Sequence, residues 1–271
     1  MCYDAGMRPL CFAMGLWLAA APLQAADALA DARRFYNQGQ FDAAERAARD
    51  AARVPATANA ARVVLGRIQL ERFRRTPVPG ELAGAISAFA QVDARRLEPR
   101  DRIEFSIGLG EALYLEDRFG AAADVFDSVL DASRSLGDVA HERVLDWWAT
   151  ALNRQAQLRP ITERAELYGR IATRMAAEIS EDSGSTAAGY WLAAAARGNG
   201  DPDRALSQAT ASWVRAVLAR DGGVALRADL DRLVVQGILP DRAARLPLRD
   251  HTQALAGMVG EWEAFKSSWS R

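Results

Sequence analysis

The sequence predicts an all-α fold, a stack of helical hairpins, and three observations predict it. Apolar residues recur at spacings of three and four along nearly the whole chain, the mark of amphipathic helices. Alternating runs of β-branched and polar residues bounded by turns, which strands require, are scarce. Small residues that open the second helix of each pair (Ala44, Ala85, Ala122, Ala165 and Ala205) follow one another at separations of 41, 37, 43 and 40. A period near 40 marks a repeat array in which each hairpin covers its neighbour's apolar face.

The first 25 residues have a different character. Arg8 precedes an apolar run of about a dozen residues, Leu10 to Ala21, and small residues follow as far as Ala25. This is the grammar of a secretory signal peptide, and the run is too short to span a bilayer. Asp4 is misplaced in such a leader, which points to Met7 as the true start. Both cysteines, Cys2 and Cys11, lie in the leader, so the mature chain from residue 26 holds no disulfide and relies on packed apolar surface. The expected location is outside the cytoplasm, in a bacterial periplasm or an equivalent space.

The hairpins then run in order from residue 26 to 271. The first carries "ADARRFYNQGQFDAAERAA" and turns at Gly39; the second has a longer first helix and turns through "RRTPVPGE". The third is "LGEALYLEDRFGAAADVF", Leu109 to Phe126; the fourth again has a long first helix and turns at "QLRPITE". After the polar connector "SEDSGST", the fifth turns at Gly200, with Asp201 before Pro202 offering a cap and a preorganised first turn. Beyond about residue 220 the pattern degenerates: "VALRADLDRLVVQG" and "PDRAARL" predict a sixth, irregular hairpin. A final helix over about 249–269, with the stripe Leu255, Val259, Trp262, Phe265 and Trp269, is expected to cap the array.

These residues resemble the tetratricopeptide repeat family. The third hairpin supplies Leu109, Gly110, Leu113, Phe119, Ala122 and Phe126. The first supplies Ala32, Phe35, Gly39, Phe41, Ala44 and Ala48, and the fifth Leu192, Ala193, Ala196, Gly200, Ala205 and Ala209. The resemblance covers most of residues 28–218, and the second and fourth hairpins match only as helical hairpins. It implies a right-handed superhelical solenoid of about five to six hairpins, whose first helices line a concave side where peptides commonly bind. Carried over residue by residue, that side would hold Arg33, Tyr36 and Asn37 in the first hairpin and Arg67 in the second. It would hold Glu111 and Tyr114 in the third, Trp148 and Gln155 in the fourth, and Tyr190 and Arg197 in the fifth. Tyr, Trp and Arg are the side chains that concentrate binding energy at interfaces. The Lys- and Asn-rich clamp that some members use for a terminal carboxylate is not reproduced.

The chemistry-bearing residues are sparse. The net charge is −1, which argues against a general nucleic-acid binder. The histidines, His141 and His251, each fall just inside an expected helix start and are expected to be solvated. Without mature cysteines, and with no metal-ligand spacing, neither a metal nor another cofactor is expected. "GLGEAL" at 108–113 sits within a helix rather than after a strand, and "NGDPDR" at 199–204 lacks the glycine and glutamate of a calcium loop. Asp124, Asp127 and Asp131 form a stripe on one helix, expected to be solvated.

The function these residues lead us to expect is non-enzymatic: a scaffold or adaptor of the cell envelope that binds a protein or an extended peptide, with no transmembrane segment in the mature chain. Two alternatives stand beside it, an enzyme acting on wall glycans and a structural subunit of a secretion or polymer-export complex. Two carboxylates converging in a deep pocket, or a histidine within hydrogen-bond reach of one, would favour the enzyme.

Overall fold

The structure, a computed structural model, describes residues 20–269 and, within them, the side chains of 26–247 and 249–269. The expected leader lies outside that range except for the backbone of 20–25, which opens the first helix. Among the described residues every regular element is helical, and the helices pack in neighbouring pairs. None is long and apolar enough to cross a membrane. The chain divides into two compact units, up to Phe105 and from Ser106 onward.

In the first unit, α1 (Ala20–Asn37) packs on α2 (Phe41–Ala52), which packs on α3 (Ala58–Arg75), which packs on α4 (Pro79–Ala90). α1 also meets α3, so first helices lie beside first helices. The turn between α1 and α2 passes through Gly39 at φ +72°, a left-handed conformation that favours glycine. Ala32, Ala44, Ala48, Ala51, Ala61 and Ile68 are fully buried, because small side chains let helix axes approach closely. At Gly66 even a methyl is excluded: its Cβ would lie 2.5 Å from the Phe89 ring. α5 (Pro99–Leu115) begins in this unit and ends in the next.

The second unit continues with α6 (Phe119–Asp127), the single turn α7 (Leu130–Ser133), α8 (Asp138–Gln157) and α9 (Ile161–Glu181). It goes on through α10 (Thr186–Gly198), α11 (Pro202–Arg215), α12 (Val224–Leu233), α13 (Leu239–Ala243) and α14 (His251–Trp269). Packing runs α8 on α9, α9 on α10, and α10 on α11, while α8 touches α10 and α10 touches α12. Asp201 caps α11 by accepting from the Arg204 N–H at 3.0 Å, with Pro202 as the first helical residue. Gly200 turns at φ +76°.

Two expectations are corrected. Ala44, Ala85, Ala122 and Ala205 are fully buried, but Ala165 is exposed; α9 buries Leu167, Tyr168, Ile171 and Met175 instead, because its first turn projects beyond the core. The sixth hairpin is not split at Gly237: α12 runs through a π turn at 234–238 directly into α13. Pro240 has no N–H to return to Gln236, and Gln236 already sits in the wider turn, so the rod continues. α14 packs on α13, and Trp262, 3% exposed, donates to Asp231 of α12 at 2.8 Å. Leu255, Val259 and Phe265 pack against the same core, the covering position expected of this helix.

Candidate functional site

The site grows from one face of α8. Residues 142, 143, 146, 150, 153, 154 and 157 recur at helical spacing and are polar throughout. The opposite face buries Val144, Leu145, Trp148 and Leu152. Glu142 holds the next first helix in place: its Oε2 accepts from Thr186 Oγ1 and from the Ala187 N–H, both at 2.9 Å. Ser185 adds a cap by accepting from the Ala188 N–H at 3.2 Å. The orphan donors that open α10 are thus satisfied partly from its own cap and partly from α8. One and a half turns later, Trp191 Nε1 donates to Asp146 Oδ1 at 2.8 Å, a second tie between the same helices.

α12 closes the third side with Ala225, Leu226 and Asp229. The result is an open recess of about 720 Å³ between three consecutive first helices. Tyr190 and Trp191 form an aromatic wall, their rings edge-to-face at 5.3 Å. Burial pushes the Asp146 carboxyl above its ordinary value; the Trp191 bond opposes this, and the negative fields of Asp229 and Glu142 reinforce it. Burial likewise raises Tyr190, with Asp229 and Asp146 adding to the effect. A carboxylate facing others of its own sign favours either a proton or an arriving cation.

Of the ten residues carried over from the repeat pattern, Tyr190 alone lines this recess. Arg197 is drawn away to Asp241, at 2.7 Å, and covers Gly237. Trp148 is a correction: it is 2% exposed, and Trp147 is the half-buried member of the pair, edge-on to Tyr114 at 4.9 Å. Tyr114 also meets Phe119 at 5.2 Å, Gln155 lies against Gly120, and Glu111 is buried.

In the first unit, Arg33, Tyr36, Asn37 and Arg67 do come together, around a recess of only about 50 Å³. That space is closed by their own partners. Arg33 pairs with Asp101 at 2.5 Å and Arg67 with Glu104 at 2.7 Å, while the Arg67 guanidinium lies 4.6 Å over the Tyr36 ring.

No family model, curated protein or solved structure matches this chain.

A second polar cluster borders the neighbouring recess of about 640 Å³, which His141 and Glu178 both line. His141, expected in solvent, is 4% exposed, with Nδ1 2.8 Å from Ser133 Oγ and Nε2 3.1 Å from Glu178 Oε2. The trio has the composition of a hydrolytic triad, but Ser133 is fully buried and its hydroxyl donates to the Leu130 carbonyl at 2.6 Å. Glu178 also accepts from Arg134 at 2.6 Å and Arg174 at 2.9 Å. Against burial, which raises it, the bonds and charges of His141, Arg174 and Arg134 hold its carboxyl below the ordinary range. The cluster ties α7, α8 and α9 together. Asp131 of the expected solvated stripe is exposed and pairs there with Arg174 at 2.7 Å. Among the described residues no three His, Asp or Glu side chains converge to hold a metal ion.

The residues that shape the recess and were missed in the sequence are Glu142, Arg143, Asp146, Asn153, Arg154, Trp191 and Asp229. A signal for them exists: the uninterrupted polar stripe on α8, opposite its apolar one.

Proposed function

We propose that this chain is an exported α-solenoid of the tetratricopeptide type, right-handed, working in the cell envelope as a scaffold or adaptor. Its row of first helices binds an extended peptide segment of a partner protein. The observation that carries this proposal is the recess on α8, α10 and α12: three successive first helices contribute to one open, polar and aromatic surface. Tyr190, Asp146, Asn153 and Asp229 are the side chains that would hold the segment. Export is supported by the leader-like residues 1–25 and by the confinement of both cysteines to them. A photo-reactive residue at Thr150, inside the recess, should yield a discrete adduct in the envelope fraction, and one at the exposed Ala165 should not. Adducts from position 165 and none from 150 would exclude this groove.

A second function has two observations in its favour. In one, His141 Nε2 lies 3.1 Å from Glu178 Oε2 on the wall of a recess of about 640 Å³. In the other, Asp146, its carboxyl raised chiefly by burial, shares the recess with Asp229 and Glu142, and paired carboxyls flanking a cleft are what acid–base cleavage of a glycan needs. Release of fragments from wall glycan, abolished by Asp146→Asn, would establish that enzyme instead.

A further inference from the structure

We infer that the recess on α8, α10 and α12 and a second one beside it form one track, selective for a peptide with an apolar side chain followed three residues later by a basic one. The inference presumes the peptide-binding function proposed above and specifies its ligand.

The two recesses share a rim, since Glu142, Thr186 and Ala225 line both. The second has a volume of about 640 Å³; Val139 and Leu218 bound it on one side, and Glu178 with its bonded partners Arg134 and His141 bounds it on the other. Val139 and Leu218 are each 60% exposed, so an apolar side chain laid between them would remove hydrocarbon surface from water. The carboxylates near them already have partners: Asp138 meets Arg220, Asp182 accepts from the Gly184 N–H, and Asp221 accepts from the N–H groups of Gly223 and Ala225.

The first recess has the opposite character. Glu142 is occupied by the start of α10 and Asp229 is paired at the surface with Arg232. Asp146 is exposed on the recess face, its Oδ1 held by the Trp191 indole, with Asp229 and Glu142 as negative neighbours. An ammonium or guanidinium group at Asp146 would relieve that repulsion, and the half-buried Tyr190 lines the same recess. Arg143 and Arg154 stand on the same rim; they would repel a second cation and so limit the ligand to one basic side chain there.

The spacing follows from α8 itself. Val139 and Asp146 are seven residues apart, two turns on one face, or roughly 10 Å. A peptide in the polyproline II conformation brings residues i and i+3 to one side about 9 Å apart.

The test uses fluorescein-labelled Gly/Ser decapeptides carrying Leu and Arg at i and i+3. Controls replace Leu by Ser, replace Arg by Gln, or place the two residues adjacent. Anisotropy titrations of the full chain should show the Leu/Arg peptide binding at least tenfold more tightly than each control. Asp146→Asn should erase the preference for Arg over Gln, and Val139→Ser the preference for Leu over Ser, with unchanged melting. Equal binding of all four peptides, lost in Tyr190→Ala, would overturn the selectivity and leave the peptide groove intact. No binding of any peptide, or binding of wall-glycan oligosaccharides in their place, would overturn both.

Discussion

The space that a Cβ on Gly110 would need is held by the Phe126 ring, whose Cε1 lies 2.7 Å from that point. Gly66 and Phe89 stand in the same relation in the first unit. A first helix gives up its side chain so that a phenylalanine from the next helix can seat against its backbone.

Gly110→Ala should therefore destabilise the chain by about 1–3 kcal/mol, the usual range for forcing a methyl into a filled core. Phe126→Leu alone opens space and should also cost stability. Combined, the two should cost less than their sum, and urea titration of the four proteins in the cycle measures the coupling.

The small residues at helix contacts divide in the same way. Ala122→Arg buries a charge where the native residue is fully enclosed, and cooperative melting should be lost. Ala165→Arg, at an exposed position, should melt within a degree or two of the parent. Circular dichroism of the pair distinguishes packing from sequence pattern.

The buried Glu178 makes stability depend on pH. Its carboxyl titrates lower in the folded chain than its ordinary value of 4.5, so its contribution is full above about pH 4.5. It is lost as the pH falls through the lower folded-state value. Glu178→Gln should cost about 3 kcal/mol at pH 7, as removal of one partner from a buried ion pair does. The gap from the parent should close progressively in acid; a gap constant from pH 7 to 3 would contradict the assignment.

Asp146 has the opposite sign. Its carboxyl is raised in the folded chain, so its ionised form costs stability above the folded value, and the cost disappears below its ordinary value of 3.8. Asp146→Asn keeps an oxygen for Trp191 and should leave the fold as stable at pH 7 or more so. Trp191→Phe removes the donor that lowers Asp146, and NMR titration should then find the carboxyl higher still.

The helices and most buried alanines are legible in the sequence because period and side-chain size are local properties. The face of each helix is harder to read. On α8 the repeat pattern selects Trp148 and Gln155, whereas the recess is lined by Asp146, Thr150, Asn153 and Gln157. An error of two residues is about 200° of rotation, so it exchanges core for surface. It arises where the turn "QLRPITE" lengthens the hairpin and α9 begins with a projecting turn, so the spacing no longer transmits the register. His141 and Glu178 lie 37 positions apart, and nothing local announces that they meet.

The π turn at 234–238 carries one residue more than an α-helical count, which advances everything after it by about 100° around the rod. Leu226 and Leu230, on one side of that step, reach the core, and so do Ile238 and Leu239 on the other. Deleting Val235 would make the rod regular and swing its last turns out of phase, exposing Leu239 and carrying Asp241 away from Arg197. The misfit in the coil is what lets a single rod serve two sets of neighbours whose grooves are not aligned.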